Sequence, residues 1–332
     1  MFSLFIGCDI SKAYFDASYK HVDTEIIYLG RFDNNHNGFQ ELVKSLSKCS
    51  DESKTKWFVC FENTGVYSKS FFEWLISQQI TCKEESPLKI SKSSGVKRGK
   101  DDKTDSIDIT RYIFEKRDSI KPSIMPKSLI INLKELLSRR DFLVRKKQSC
   151  EISIKEKKHT LDPELFSLLE SQNQDLLNLF QQQITTIEEK INELIHEDLS
   201  IKFNYQLLQS ITGIGPIISA YLIAFTDNFS LFTDSRKFAS YAGIAPFPNR
   251  SGIRIGRSRV SPMANKRIKS LLSNGAISAI VFDKELKIYY KRKLKEGKQK
   301  GTALNAVKNK LIHRVFAVIK RQTPYVKIMQ YA

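Results

Sequence analysis

The sequence predicts an α/β sheet domain at the N-terminal end followed by an all-α remainder, and three observations carry that prediction. Short apolar runs at Leu4 to Ile6, Ala13 to Tyr19 and Thr24 to Gly30 are rich in β-branched and aromatic residues and separated by polar steps, as successive strands are. Trp57 to Phe61 is a further continuous apolar run, closed by Glu62 and the turn-forming Asn63-Thr64-Gly65. Beyond Pro126 the pattern changes to apolar residues three and four apart, which is helical spacing.

Composition bounds what such a chain can do. With 332 residues, 41% of them hydrophobic, it has length for two domains or more and for real cores. Lys and Arg outnumber Asp and Glu by 54 to 36, a net charge of +18, so a polyanion is the natural partner. Nucleic acid fits better than membrane, because no apolar run approaches the roughly twenty residues of a spanning helix. The N-terminus lacks a basic segment ahead of its apolar run and meets Asp9 too early for a signal peptide, so a cytoplasmic location is expected. The 5 cysteines and 5 histidines are dispersed without metal-ligand spacing, which leaves carboxylates as the candidate ligands and a hard ion, Mg2+ or Mn2+, as the candidate metal.

Taken in order, the first strand is Ser3 to Lys12 and delivers Asp9 at its end. Two more strands follow, then a helix over His36 to Ser47 with Phe39, Leu42, Val43 and Leu46 on one face. The Trp57 strand delivers Glu62, and after its turn a helix carries Phe71, Phe72, Leu75 and Ile76. Ile80 to Lys83 is a short further strand, and Ser91 to Asp105, rich in Lys, Ser, Gly and Asp, reads as a basic loop. Thr104 is the expected N-cap of the next helix, on which Asp105 and Asp108 share a face continued by Tyr112.

The remainder begins as a helical hairpin. Leu129, Leu133, Leu136 and Leu143 form one seam, Asp162-Pro163 the turn, and Leu177, Phe180, Ile184, Ile187, Ile191 and Leu194 a heptad seam on the returning arm, suited to packing or dimerisation. Leu207, Leu208 and Ile211 lead through Thr212-Gly213-Ile214-Gly215-Pro216 into an apolar helix, Ile217 to Phe225, so that a glycine turn joins two helices. Arg236 to Ala242 is a short helix, Gly243 to Gly256 reads as irregular from its Gly and Pro content, and Ile268 to Val281 opens a set of basic C-terminal helices. Three parts result: 1–125, 126–202 and 203–332.

Asp9, Glu62, Asp105 and Asp108 stand at the ends of separate elements. An Asp and a Glu from two strands with a helix-borne pair are what a ribonuclease-H-like sheet uses to gather carboxylates around two metal ions, which clamp the attacking and leaving oxygens of a phosphodiester. Taken singly, Asp9 is better read as a strand cap or the start of a turn, and Asp101 and Asp102 are rival partners for Asp105.

In CDISK around Asp9, ENTG around Glu62 and KTDSID around Asp105 and Asp108, the chain resembles the DEDD transposases, the family of the Piv and MooV invertases and of bridge-RNA-guided insertion-sequence recombinases. TGIGP at Thr212 to Pro216 and FASYAGIAPFPNRSG at Phe238 to Gly252 are similar to that family's C-terminal transposase domain, in the same order. Ile109 stands where the family usually carries a small alanine.

The resemblance implies a RuvC-like catalytic domain and a serine nucleophile in the RSG segment, here Ser251, with the four acids holding Mg2+ or Mn2+ and the two lobes completing one site. Arg250, Arg254 and Arg257 would steady charge on the phosphate, and Ser240, Ser258 and Ser261 are the local rivals for the nucleophile. Gly213 and Gly215 read either as a backbone cradle for a phosphate at a helix N-terminus or as a tight packing turn. Lys291, Arg292 and Lys293, beside Tyr289 and Tyr290, suit nucleic-acid backbone and bases, or a solvated helix face.

Donor and target DNA, a noncoding guide RNA and a dimer or tetramer are the partners the resemblance implies. Two rival functions use the same residues: a metal-dependent nuclease or junction resolvase with water as nucleophile, and a non-catalytic nucleic-acid-binding protein whose acids are structural.

Overall fold

The computed structural model describes residues 2–93, 102–251, 254–260 and 264–326, and within these the side chains of 248–251 and 254–259 are left aside. The chain divides into two compact units, Met1–Met125 and Pro126–Ala332.

The first unit is built on strands β1 (Leu4–Ile10), β2 (Tyr14–His21) and β3 (Ile27–Asp33), helix α1 (His36–Cys49), β4 (Trp57–Glu62), α2 (Val66–Ser77), β5 (Thr81–Glu85), α3 (Pro87–Ser93) and α4 (Asp102–Glu115). They form a mixed sheet of order β3-β2-β1-β4-β5. The pairs β1–β2 and β2–β3 are antiparallel, whereas β1–β4 and β4–β5 are parallel.

Strand alternation decides what covers each face. Leu4, Ile6, Cys8 and Ile10 of β1 join Trp57, Val59 and Phe61 of β4 in one buried cluster with Phe39 and Leu42 of α1 and Phe71 and Leu75 of α2. The residues between them turn the other way. Phe5 of β1 and Phe58 and Cys60 of β4 pack with Ile109, Tyr112 and Ile113 of α4. Gly7 and Asp9 of β1 and Glu62 of β4 share that alternation, so the carboxylates and α4 belong to one side of the sheet.

The second unit is mainly helical. Helices α5 (Ser128–Lys157) and α6 (Pro163–Glu197) are joined by a turn in which Asp162 accepts from the Glu164 amide and Pro163 opens the helix. Arg140 bridges to Glu188 at 2.6 Å, and Lys147 Nζ donates to Gln181 at 2.8 Å, which fixes the two arms as antiparallel. There follow α7 (Leu199–Gln209), α8 (Pro216–Thr226), α9 (Ser235–Tyr241), strands β6 (Pro246–Ser251) and β7 (Arg254–Val260), α10 (Lys266–Phe282), α11 (Lys284–Lys295) and α12 (Lys300–Arg321). One core runs from the base of the hairpin, through Ile130, Leu133, Ile191 and Leu194, into Leu208, Ile223, Phe238, Leu272 and Leu311 of the later helices.

Four local readings of the sequence are corrected. Thr104 is not the cap of α4, because the helix already includes Asp102, and acidic Asp102 and Asp105 in its first turn suit the helix dipole. Of the expected basic loop, Ser91 to Ser93 end α3 and 102–105 belong to α4; 94–101, including Asp101, lie outside the described residues. On α5 the deepest seam is Ile130, Leu133, Leu137 and Leu143, with Leu129 and Leu136 only partly buried, so the stripe that packs lies one position round the helix from Leu129 and Leu136.

The fourth correction concerns Gly243 to Gly256, which is not irregular throughout. Residues from Pro246 pair antiparallel with β7, in the register Arg250 with Ile255 and Ser251 with Arg254. The prolines are tolerated because the ladder shifts between Phe247 and Asn249 and a two-stranded sheet has only edge strands.

Candidate active site

Register assembles the first two carboxylate positions. Cys8 pairs with Phe61, so Asp9 and Glu62 stand one step further on neighbouring parallel strands, on the side that α4 covers. The row extends outward on both sides: Asp9 pairs with Asp16, Asp16 with Arg31, and Glu62 with Glu85. The outer acids are held by protein partners. Asp16 accepts from the Tyr28 hydroxyl at 2.5 Å and from Arg31 Nε at 3.0 Å. Glu85 accepts from the Tyr112 hydroxyl at 3.1 Å and the Ser86 amide at 2.9 Å, and pairs with Lys89 at 3.0 Å. Burial works against the charged form of Glu85, but those bonds outweigh it and hold its carboxyl below the ordinary carboxylate value.

Asp9 behaves in the opposite way. Burial, and then the charges of Glu62, Asp105, Asp102 and Asp16, push its carboxyl up to about 7. Burial is the larger cause, and the neighbouring acids at this sheet end add to it. Asp105 is half-buried on the first turn of α4, and Asp108, 4% exposed, accepts from Arg111 at 2.6 Å.

The glycine of the first strand sets how closely α4 can approach. A Cβ on Gly7 would lie 2.3 Å from the Thr110 nitrogen and 2.6 Å from the Ser106 carbonyl oxygen. Beside this contact the hydroxyls of Ser18 and Ser106 are 2.7 Å apart, and Thr110 Oγ1 donates to the Ser18 carbonyl at 3.1 Å. Small residues thus seat the helix that carries Asp105 and Asp108. At the end of β4, Asn63 Oδ1 accepts from the Gly65 amide at 3.0 Å, and Gly65 takes a φ of +71°, so the turn after Glu62 needs both residue types.

In the second unit, Gly213 and Gly215 play different parts. Gly213 has a φ of +94°, and a Cβ there would lie 2.4 Å from the Gly275 carbonyl oxygen of α10. It is a packing glycine. Gly215 precedes Pro216 at the start of α8, with nothing within 4 Å of where a Cβ would stand, beside a groove of about 380 Å³ lined by Thr212, Ile218, Asn274 and Ser278. Ser251 closes β6 and Arg254 opens β7 opposite it, with Arg250 and Arg257 on the same two strands; the side chains of these four, like that of Ser258, lie outside the described residues, as does all of Ser261. Ser240, a rival nucleophile, donates to the Arg236 carbonyl within α9.

Lys291, Arg292 and Lys293 sit on α11, where Glu296 pairs with Lys293 at 2.7 Å and with Arg292 at 3.6 Å. Arg292, Lys293 and Lys310 all approach the Tyr289 ring within 5.6 Å. Lys291 is exposed.

Comparison with known proteins decides the family. The Transposase IS116/IS110/IS902 family model matches residues 205–291, and a DEDD transposase model matches residues 6–163. Pilin gene-inverting proteins of Moraxella lacunata and Moraxella bovis are each 30% identical over 334 residues, covering 98% of this chain and 99% of each relative. This chain belongs to the IS110/IS116 family of DEDD transposases. The uncharacterized 44.8 kDa protein of insertion element IS116 from Streptomyces clavuligerus is a more distant relative, 26% identical over 141 residues, or 42% of this chain and 35% of that protein.

Membership makes this transposase a DNA-recombination protein. Among the described residues no helix is long and apolar enough to cross a membrane. The four acids offer oxygen donors only, the chemistry of a hard divalent cation. Among the described residues, no three acidic, histidine or cysteine side chains are arranged closely enough to hold a metal ion. Sequence reasoning missed Asp16, Glu85, Gly7 and Ser106. Only the alternation of β1, which puts Gly7 on the same face as Asp9, carried a signal for any of them.

Proposed function

We propose that this transposase is a cytoplasmic, Mg2+- or Mn2+-dependent DNA recombinase that cuts and exchanges strands through a phosphoserine link at Ser251. The observation that carries this reading is the shared row of Asp9 and Glu62 beneath the helix bearing Asp105 and Asp108, in a chain of this family. The five-stranded mixed sheet with its carboxylates would be of the ribonuclease-H (RuvC-like) kind. The functional parts are 1–125 for metal-dependent chemistry, 126–202 as a coiled-coil hairpin for assembly into dimers or tetramers, and 203–332 for the nucleophile.

Ser251 Oγ would attack a backbone phosphorus, an O–P bond forming as the bond to the leaving strand's oxygen breaks. The family resemblance implies that the hydroxyl proton would pass to a carboxylate or a bound water. A bound divalent ion supplies charge neutralisation at the phosphate. Arg250, Arg254 and Arg257 hold the non-bridging oxygens, and the link conserves the bond energy for rejoining. Gly215 offers a backbone approach to a phosphate, while Lys291 and its neighbours bind the nucleic-acid backbone. As the family resemblance implies, target and donor choice would fall to a noncoding RNA from the element's flank, a partner that suits the chain's net charge of +18.

The test is strand cleavage with Mg2+ on donor and target DNA carrying that flanking RNA. Asp9→Asn and Glu62→Gln should abolish cleavage, and Ser251→Ala should abolish both cleavage and protein-linked DNA. Continued cutting by Ser251→Ala would instead identify a water-using nuclease.

A further inference from the structure

The outer half of the ionic row is not used by the chemistry above. Asp16 is 1% exposed, and a buried carboxylate must be hydrogen-bonded to be tolerated. Tyr28 and Arg31 meet that need, and Arg31 goes further: its Nη2 lies 2.9 Å from Asp16 Oδ2 and 3.0 Å from Asp102 Oδ2. Tyr14 supports the same junction, its hydroxyl 3.4 Å from Asp102 Oδ2 and its ring 3.9 Å from the guanidinium carbon. Lys103 stands over the Tyr28 ring at 5.0 Å. Asp102 and Lys103 begin α4, three and two residues before Asp105. The small-residue seat of α4 on the sheet starts only at Ser106.

We propose that Arg31 is a positioning residue: anchored on buried Asp16, it latches Asp102 and so fixes the first turn of α4, orienting Asp105 and Asp108 toward Asp9 and Glu62. This rests on reading those four acids as the cation site. An exposed ion pair alone is weak. Here one end is buried, and the guanidinium fork serves two carboxylates at once, which a lysine ammonium cannot do in the same geometry. Asp102 is thereby a latch and not a further ligand.

Mn2+ titration of the full chain, with hydrogen exchange of the metal-free protein, tests this. Arg31→Gln should raise the Mn2+ midpoint about tenfold, the low end for losing a group that orients metal ligands. The sign is diagnostic, because deleting a positive charge beside carboxylates would by Coulomb's law alone tighten cation binding. In the metal-free variant, amides 104–108 should exchange faster while those of β1 stay protected. Asp102→Asn keeps the Arg31–Asp16 pair and guards against misfolding, and it should give the same two effects. The double variant should be no worse than the worse single one.

An unchanged or lower midpoint in Arg31→Gln, or additive losses in the double variant, overturns the latch while wild-type Mn2+ binding and its loss in Asp9→Asn keep the cation site. Absence of Mn2+ binding in the wild type removes the cation site itself, and the latch with it.

Discussion

Gly7 and Thr110 approach so closely that a Cβ on the glycine would stand 2.3 Å from the threonine's backbone nitrogen. That contact sets the height of α4 above β1, and with it the distance from the helix carboxylates to Asp9. Gly7→Ala should therefore push the helix outward. A loss of about 1–3 kcal/mol in urea unfolding is expected, as for overpacking in a close-packed interior, together with weaker metal-dependent cleavage. Gly301→Ala, in α12 with nothing within 4 Å of its Cβ position, is the control and should lower neither stability nor cleavage.

Asp9 makes the metal-free protein sensitive to pH in a stated direction. Its carboxyl, at about 7 against an ordinary 3.8, holds its proton more tightly folded than unfolded. The contribution of Asp9 to stability in the absence of metal should thus be greatest in acid, fall as pH rises from about 4 to about 7, and level off beyond, against the opposite trend of carboxylates such as Glu85 that are held below the ordinary value; comparison with Asp9→Asn isolates it. Cation binding requires that proton to leave, so Mn2+ affinity should climb over the same interval. Thermal unfolding and Mn2+ titration across pH check both trends, and Asp9→Asn should flatten them.

The two glycines of the helix turn should separate under substitution. Gly213→Ala meets both a φ of +94° and the Gly275 carbonyl, so a loss of about 2 kcal/mol or more is expected. Gly215→Ala has open space and should change stability by less than about 0.5 kcal/mol. Should the turn hold a phosphate, Gly215→Ala will weaken DNA binding several-fold in a salt titration without affecting unfolding.

Much of the sheet was legible because alternation and apolar runs are local signals: Leu4 to Ile10 and Trp57 to Glu62 announce their own strands and carboxylates. Where reading failed, the cause lay in partners distant along the chain. The third strand continues to Asp33 because Phe32 stacks on Phe15 at 5.5 Å. Glu85 and Asp16 look like ordinary surface acids until register lines them up with Glu62 and Asp9. The β6–β7 hairpin was hidden by its prolines, which an edge ladder accommodates at a shift in register.

The hairpin arms leave a second apolar stripe uncovered. Leu165, Leu168, Leu176 and Leu179 of α6 are 47 to 57% exposed, while Ile184, Ile191 and Leu194 on the same helix are buried. If the hairpin carries assembly, Leu168→Glu with Leu176→Glu should lower the oligomeric state by light scattering. Thermal stability should hold, because neither side chain is in the core.

The central claim is that Ser251 acts as the nucleophile in a carboxylate-dependent strand exchange, and mapping the protein–DNA adduct tests it most directly. After reaction with Mg2+, donor and target DNA and the flanking RNA, protease digestion and mass spectrometry should find a nucleotide phosphate on Ser251 in the wild type and none in Asp9→Asn. DNA cut with no protein-linked nucleotide, or a nucleotide carried on any other residue, would contradict it.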